Sequence, residues 1–127
     1  MIIVGVHIRR GDYKYYRNGI FYYDDSVYLK YMKSIEIKIN DSLKKECFFV
    51  IFSDETVTIK GVKNMIVSKN KWYIDHMLMG KCDLLIGPPS TFTLWASYIG
   101  KVKYFYIQNK SGGIDFDDFV YATGLLA

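Results

Sequence analysis

Little in this chain can punctuate, cross-link or ligate. It has two prolines, two cysteines and two histidines among 127 residues. Cys47 and Cys82 lie in or beside apolar runs, form no CxxC pair and have no histidine at metal spacing. That argues against a disulfide scaffold or zinc module and for two buried thiols in a reducing compartment. No resident metal is expected. No stretch reaches the roughly 18 consecutive apolar residues of a membrane helix, and no basic region followed by an apolar core opens the chain. The expected location is therefore the cytoplasm. The net charge of +4 is only mildly basic. The lysines are spread over expected helix faces (Lys30, Lys33, Lys38, Lys44, Lys45) and loops (Lys60, Lys63, Lys69, Lys71), which fits a solvated surface and no nucleic-acid partner. There is no internal repeat, linker or low-complexity tract.

What the chain does have is apolar substance. Half of its residues are hydrophobic and 17% are aromatic, 12 of them tyrosine, so one well-cored globular domain over residues 1–127 is expected. Strand-like runs recur at Ile2–Ile8, Cys47–Phe52, Leu84–Ile86 and Val102–Ile107, with a weaker one at Met65–Val67. Helical patterns lie between them. The first spans about Ser26 to Ile39, with Tyr28, Met32, Ile35 and Ile39 on one face and Asp25 or Ser26 as its cap. The second covers roughly Lys71–Gly80, with Trp72, Met77 and Leu78 apolar. The third begins at Ser90, carries Phe92, Leu94, Trp95 and Tyr98, and stops at Gly100. Nearly continuous apolar strands alternating with helices predict an α/β, Rossmann-like three-layer domain with a mostly parallel sheet.

Three segments could carry chemistry. Met1–Val6 is an apolar strand that runs into His7-Ile8-Arg9-Arg10-Gly11-Asp12-Tyr13. Ligands of open α/β sheets bind at the carboxyl ends of strands, and the guanidinium fork of arginine suits a pyrophosphate. The plainer alternatives are a surface arginine pair balanced by Asp12, or an exposed Arg10-Gly11-Asp12 adhesion tripeptide. Phe48–Phe52 likewise ends in Ser53-Asp54-Glu55, which reads equally as a helix cap or a ligand contact. In the third segment Leu84–Ile86 meets Gly87-Pro88-Pro89-Ser90-Thr91-Phe92, a strand, a stiff turn and a helix start. Both prolines of the chain sit in that turn. Free N–H groups and the helix dipole make such a start an anion site, unless it is an ordinary capped helix. His76, on the preceding helix, is given no role.

Taken in order, the segments resemble the alpha-1,2-fucosyltransferases. His7 through Tyr13 is similar to that family's first motif, with related sequences in alpha-1,6- and protein O-fucosyltransferases. Phe52-Ser53-Asp54-Glu55 resembles the second motif. Asp75 through Trp95, including Leu78-Met79 and Ser90-Thr91-Phe92, resembles the third. The resemblance covers about residues 2–105. Glu55 stands where a second Asp is frequent, Thr93-Leu94-Trp95 replaces a Trp-Trp pair, and Cys82-Asp83 departs from a pattern ending in His. These departures bear on the linkage formed more than on the nucleotide.

The resemblance implies a GT-B fold of two facing Rossmann-like halves, of which this chain corresponds to the C-terminal, GDP-fucose-binding half. It implies an inverting, metal-independent transfer of fucose to a glycan hydroxyl. Arg9 would contact the diphosphate and His7 would lie near ribose and base. Asp75 would accept from the guanine edge, and Ser90 and Thr91, with Phe92, would hold the β-phosphate. Arg10 and Asp12 would orient Arg9, Asp54 would brace the pocket, and Asp12 is the candidate general base. The partners implied are the GDP-sugar donor and, through a missing or separate acceptor-binding half, a glycan. The place implied is the cytoplasm or its membrane periphery, in a glycan-assembly pathway. An apolar edge left by a missing half would favour a homodimer, and the isolated chain is expected to be weakly active or inactive. Two other readings remain open: a non-catalytic nucleotide-binding remnant or interaction module, and a GT-B transferase using another nucleotide sugar.

Overall fold

The computed structural model describes residues 1–9, 19, 22–53, 55–111 and 113–121, with residue 91 described by its backbone alone. Five strands, β1 (Ile2–Ile8), β2 (Cys47–Ser53), β3 (Met65–Ser68), β4 (Leu84–Gly87) and β5 (Lys103–Tyr106), form one sheet in the order β3-β2-β1-β4-β5. Every pairing between these strands is parallel. Helix α1 (Asp25–Ser42) follows β1, α2 (Trp72–Met79) follows β3 and α3 (Thr91–Gly100) follows β4. This is the α/β, Rossmann-like layering that the alternation predicts. The β2–β3 connection carries no helix among its described residues, a departure from strict alternation.

Period-two alternation sends each strand's side chains to two cores. Val4, Val6 and Ile8 of β1, with Cys47, Phe49 and Ile51 of β2, pack against α1. Ile3 of β1, Val50 and Phe52 of β2 and Leu85 of β4 join the second core, with Met79, Cys82, Ala96 and Val102. Both thiols are buried, and burial pushes each up to about 12, so neither is a nucleophile at neutral pH.

α1 buries Val27, Tyr28, Tyr31, Met32, Ile35 and Ile39 along one stripe. At roughly 1.5–3 kcal/mol for each fully buried large side chain, that stripe, not propensity, holds the helix. Its cap is Asp24, which accepts from the Val27 N–H at 3.2 Å, and not Asp25 or Ser26 as the sequence suggests. Ser26 spends its hydroxyl on the Asp24 carboxylate, and those two bonds hold the carboxyl below its usual range. Asp25 instead opens the helix, where its charge meets the positive end of the dipole.

The second helical layer is thinner. α2 buries Asp75 and Met79, while the apolar Trp72 and Met77 are exposed. α3 turns small residues, Thr93, Ala96 and Ser97, toward the sheet, and Ser97 Oγ donates to the Val102 carbonyl. The helix stops at Gly100, as expected, with Gly100 as its last helical residue, and Lys101 makes the left-handed turn, with φ 55°. Gly100 has a different reason to be glycine. A Cβ there would fall 2.2 Å from the Gly80 carbonyl oxygen and 2.4 Å from its Cα, so the two backbones touch. The outer edge of β5 is paired with the chain's tail through an antiparallel bridge between Tyr104 and Val120. No helix among the described residues is long and apolar enough to cross a membrane.

Candidate active site

Strand order reverses direction at β1, whose neighbours are β2 on one side and β4 on the other. The crevice at the carboxyl ends of such strands is where this architecture accepts ligands. A cavity of about 420 Å³ lies there, lined by His7, Arg9, Phe52, Ser53, Asn70, Trp72, Asp75 and Phe92. Its size is that of a small-molecule site. Of the residues singled out in sequence, His7, Arg9, Asp75 and Phe92 therefore share one wall system, although His7 and Asp75 are 68 positions apart in the chain.

His7 points to the α2/α3 face of the sheet and is buried. Its Nδ1 shares a 2.8 Å hydrogen bond with Thr93 Oγ1, itself fully buried on α3. Gly87 leaves the space that this pair needs: a Cβ on it would lie 3.2 Å from His7 Cβ and 3.4 Å from Thr93 Oγ1. The His7 ring is tilted on Phe92 at 5.2 Å, and His76 meets the same Phe92 ring edge-to-face at 4.8 Å. Burial first, then the charge of Arg9 and of His76, pushes the His7 imidazole down to about 3. At neutral pH His7 is thus an uncharged donor and acceptor, and the fixed cation of the cavity is Arg9. Burial also holds His76 below its ordinary value, partly offset by a hydrogen bond with the Phe92 backbone.

Asp75 stands in the first turn of α2, buried, with its side chain on the cavity wall. Its Oδ1 accepts from Ser68 Oγ at 2.7 Å, and Ser68 Oγ accepts from Asn70 Nδ2 at 2.9 Å. The relay fixes the carboxylate and orients its acceptor lone pairs. Ser90 caps α3: its Oγ accepts from the Phe92 N–H at 3.1 Å and its carbonyl from Tyr106 Oη at 2.9 Å. The plain cap reading is therefore satisfied, with the Ser90 hydroxyl as the acceptor. Ser90 is buried and is not among the described residues that line the cavity. Arg10, Asp12, Asp54 and the Thr91 side chain lie outside the described residues.

Sequence reasoning missed Ser68, Asn70 and Thr93. The first two had a usable signal, since Ser68-Lys69-Asn70 is a third polar strand end after Met65–Val67. Thr93 had none, because its partner His7 is 86 positions away. No group of three or more His, Cys, Asp or Glu placed to hold a metal occurs among the described residues.

The family model described as glycosyl transferase family 11 matches residues 2–116. The chain belongs to that family. It is the alpha-1,2-fucosyltransferase family to which the three motifs point, and the match makes this a fucosyltransferase-like glycosyltransferase domain. No curated protein and no solved structure matches the chain. The family 11 match spans every strand of the sheet and the entire cavity wall.

Proposed function

We propose that this family 11 domain binds GDP-fucose in the cavity at the β1 carboxyl end and takes part in moving fucose to a glycan hydroxyl. The observation that carries the reading is the convergence of Arg9, uncharged His7 and the relay-held Asp75 on one cavity. A nucleoside diphosphate needs those groups. Asp75, as a fixed acceptor, suits the N–H edge of guanine, which cytosine-like or adenine edges do not match in the same way. His7 suits the ribose hydroxyls, because a neutral imidazole can both give and take a hydrogen bond. Arg9, with the Ser90 hydroxyl and the N-terminus of α3, suits the diphosphate.

In the transfer, the acceptor hydroxyl oxygen bonds to fucosyl C1 while the C1–O bond to the β-phosphate breaks. The bonding pair leaves with GDP, so negative charge grows on the diphosphate, where Arg9 and the α3 dipole stabilise it. The proton of the acceptor goes to a general base, a role we assign to the Asp12 carboxylate. A glycan-binding half, separate from this domain, supplies the acceptor.

Titration calorimetry with GDP, using GMP as the control that lacks a diphosphate, tests the reading. GDP is expected to bind more tightly, and Arg9→Ala to remove the difference between the two. Absence of any GDP heat on a folded sample overturns the proposal. UDP and ADP in the same cell check the base, and either one binding as well as GDP would transfer the site to another nucleotide sugar.

A further inference from the structure

We propose that Thr93 is a positioning residue of the cavity: its hydroxyl donates to His7 Nδ1, which commits the imidazole to the Nε2–H form and turns a hydrogen-bond donor toward the ligand. The tautomer does not depend on what fills the cavity, whereas its effect on nucleotide binding rests on the GDP-fucose reading above. A buried hydroxyl has one proton to place. Thr93 is fully buried near the start of α3, and His7 Nδ1, at 2.8 Å, is the one hydrogen-bond partner of its Oγ1 among the described residues. A helical threonine can instead turn back on a carbonyl of the preceding turn, and Thr93 does not. If Nδ1 carried the ring proton, it would donate to Oγ1, and the threonine proton would have no acceptor at a fully buried site. If Oγ1 donates, both atoms are satisfied and the ring proton sits on Nε2. An orphaned buried donor costs enough to favour the second arrangement by roughly five- to a hundredfold. The bond made by one ring nitrogen thus decides which one carries the proton.

The pair is held by rigid parts, since His7 lies in register with Phe52 on the paired strand β1 and Thr93 lies one turn from the Ser90 cap. The other edge of the ring opens to the cavity. Nε2 has no hydrogen-bond partner among the described residues, yet it is not a sealed atom. A second hollow, a groove of about 470 Å³ between α2 and α3, shares Phe92 as a wall and is lined also by Arg9, Trp72, His76, Trp95 and Ile99. His7 lines the cavity and not this groove, so the Nε2–H is offered to the contents of the cavity. The charged and titratable groups around the ring are Arg9, at the end of its own strand, and Asp75 and His76 of α2. Arg9 and the Nε2–H are both donors, so they do not pair with each other and both suit ligand oxygens.

The chain has two histidines, so nitrogen-15 labelling of the imidazoles gives a spectrum of two rings. At pH 7, long-range proton–nitrogen correlations should show His7 Nδ1 without a proton and Nε2 with one. A protonated Nδ1 overturns the proposal. Thr93→Val keeps the shape of the side chain and removes the hydroxyl. In that variant, checked for folding by circular dichroism, the Nδ1 resonance should move to that of a nitrogen accepting no bond. GDP and GMP should both bind about three- to tenfold more weakly, the worth of one hydrogen bond. Thr93→Ser, which keeps the hydroxyl, should restore the resonance and both affinities. A folded Thr93→Val with the Nδ1 resonance or the GDP affinity unchanged overturns the positioning role, as does a loss confined to GDP, which would put the effect on the diphosphate. The parent spectrum decides the tautomer even where Thr93→Val does not fold. Failure of the parent chain to bind GDP removes the nucleotide reading, and the same spectrum still decides which nitrogen carries the proton.

Discussion

The two helical layers of this domain are built by opposite rules. α1 is 18 residues long, capped by Asp24, and buries six side chains in the larger core. α2 and α3 have 8 and 10 residues, and α2 has no side-chain cap. They lean on each other through bare backbone at Gly80 and Gly100 and leave Trp72, Tyr73, Met77, Trp95, Tyr98 and Ile99 exposed. The α1 layer does the work of holding the sheet. The α2/α3 layer gives up apolar burial, and the cavity and groove open on its side of the sheet. The main buried core and the candidate site are thus divided between the two faces of one sheet.

That division can be broken from either side. Ile35→Ala empties the α1 core and should cost about 3–4 kcal/mol in denaturant unfolding, with the folded fraction binding nucleotide as before. A loss of binding in the folded fraction would show the layers to be coupled. Gly100→Ala drives a methyl group into the Gly80 backbone and should cost about 2–3 kcal/mol. Gly80→Ala should cost less, because the nearest atoms its Cβ would meet lie at 3.3–3.4 Å. Equal losses would mean that the helices slide apart easily.

A proton probes the same face. The folded pKa of His7, about 3, lies below its unfolded value of 6.5. The unfolded chain therefore binds the extra proton first as pH falls, and stability is lost between about pH 6.5 and 3. From this one group the slope approaches about 1.4 kcal/mol per pH unit. His7→Gln should remove that component between pH 6.5 and 5, where few carboxylates titrate. Parallel profiles for the two proteins would mean that the imidazole is not held neutral.

Caps give the smallest effects. Ser90→Ala should cost about 1 kcal/mol, and Lys71→Ser should gain about 0.5 kcal/mol by supplying the cap that α2 lacks. If the gain at Lys71 came with weaker GDP binding, the missing cap would belong to recognition and not to economy of sequence.

The sheet was legible because its strands are apolar almost without interruption, and Tyr28, Met32, Ile35 and Ile39 announce the buried stripe of α1. The limits of the helices were less so. Asp24, Asp25 and Ser26 are all competent caps in sequence, and the choice among them depends on backbone angles that a sequence does not display. The exposure of Trp72 and Met77 was not legible, because hydrophobicity says nothing about which side of a short helix meets the sheet. His7, Arg9 and Phe92 could be named in advance because they end a strand or open a helix, and Asp75 only because its segment resembles a family motif. Thr93 could not, since its meaning comes from a histidine across the fold.

The contact between Gly80 and Gly100 has one more consequence. Main chain alone sets the distance between α2 and α3 at that point, so the groove between them has a fixed gauge that does not depend on the residues lining it. Trp95 and Ile99 line that groove from α3, and neither takes part in the Gly80–Gly100 contact itself. A surface of that kind can vary in its side chains while its spacing is kept.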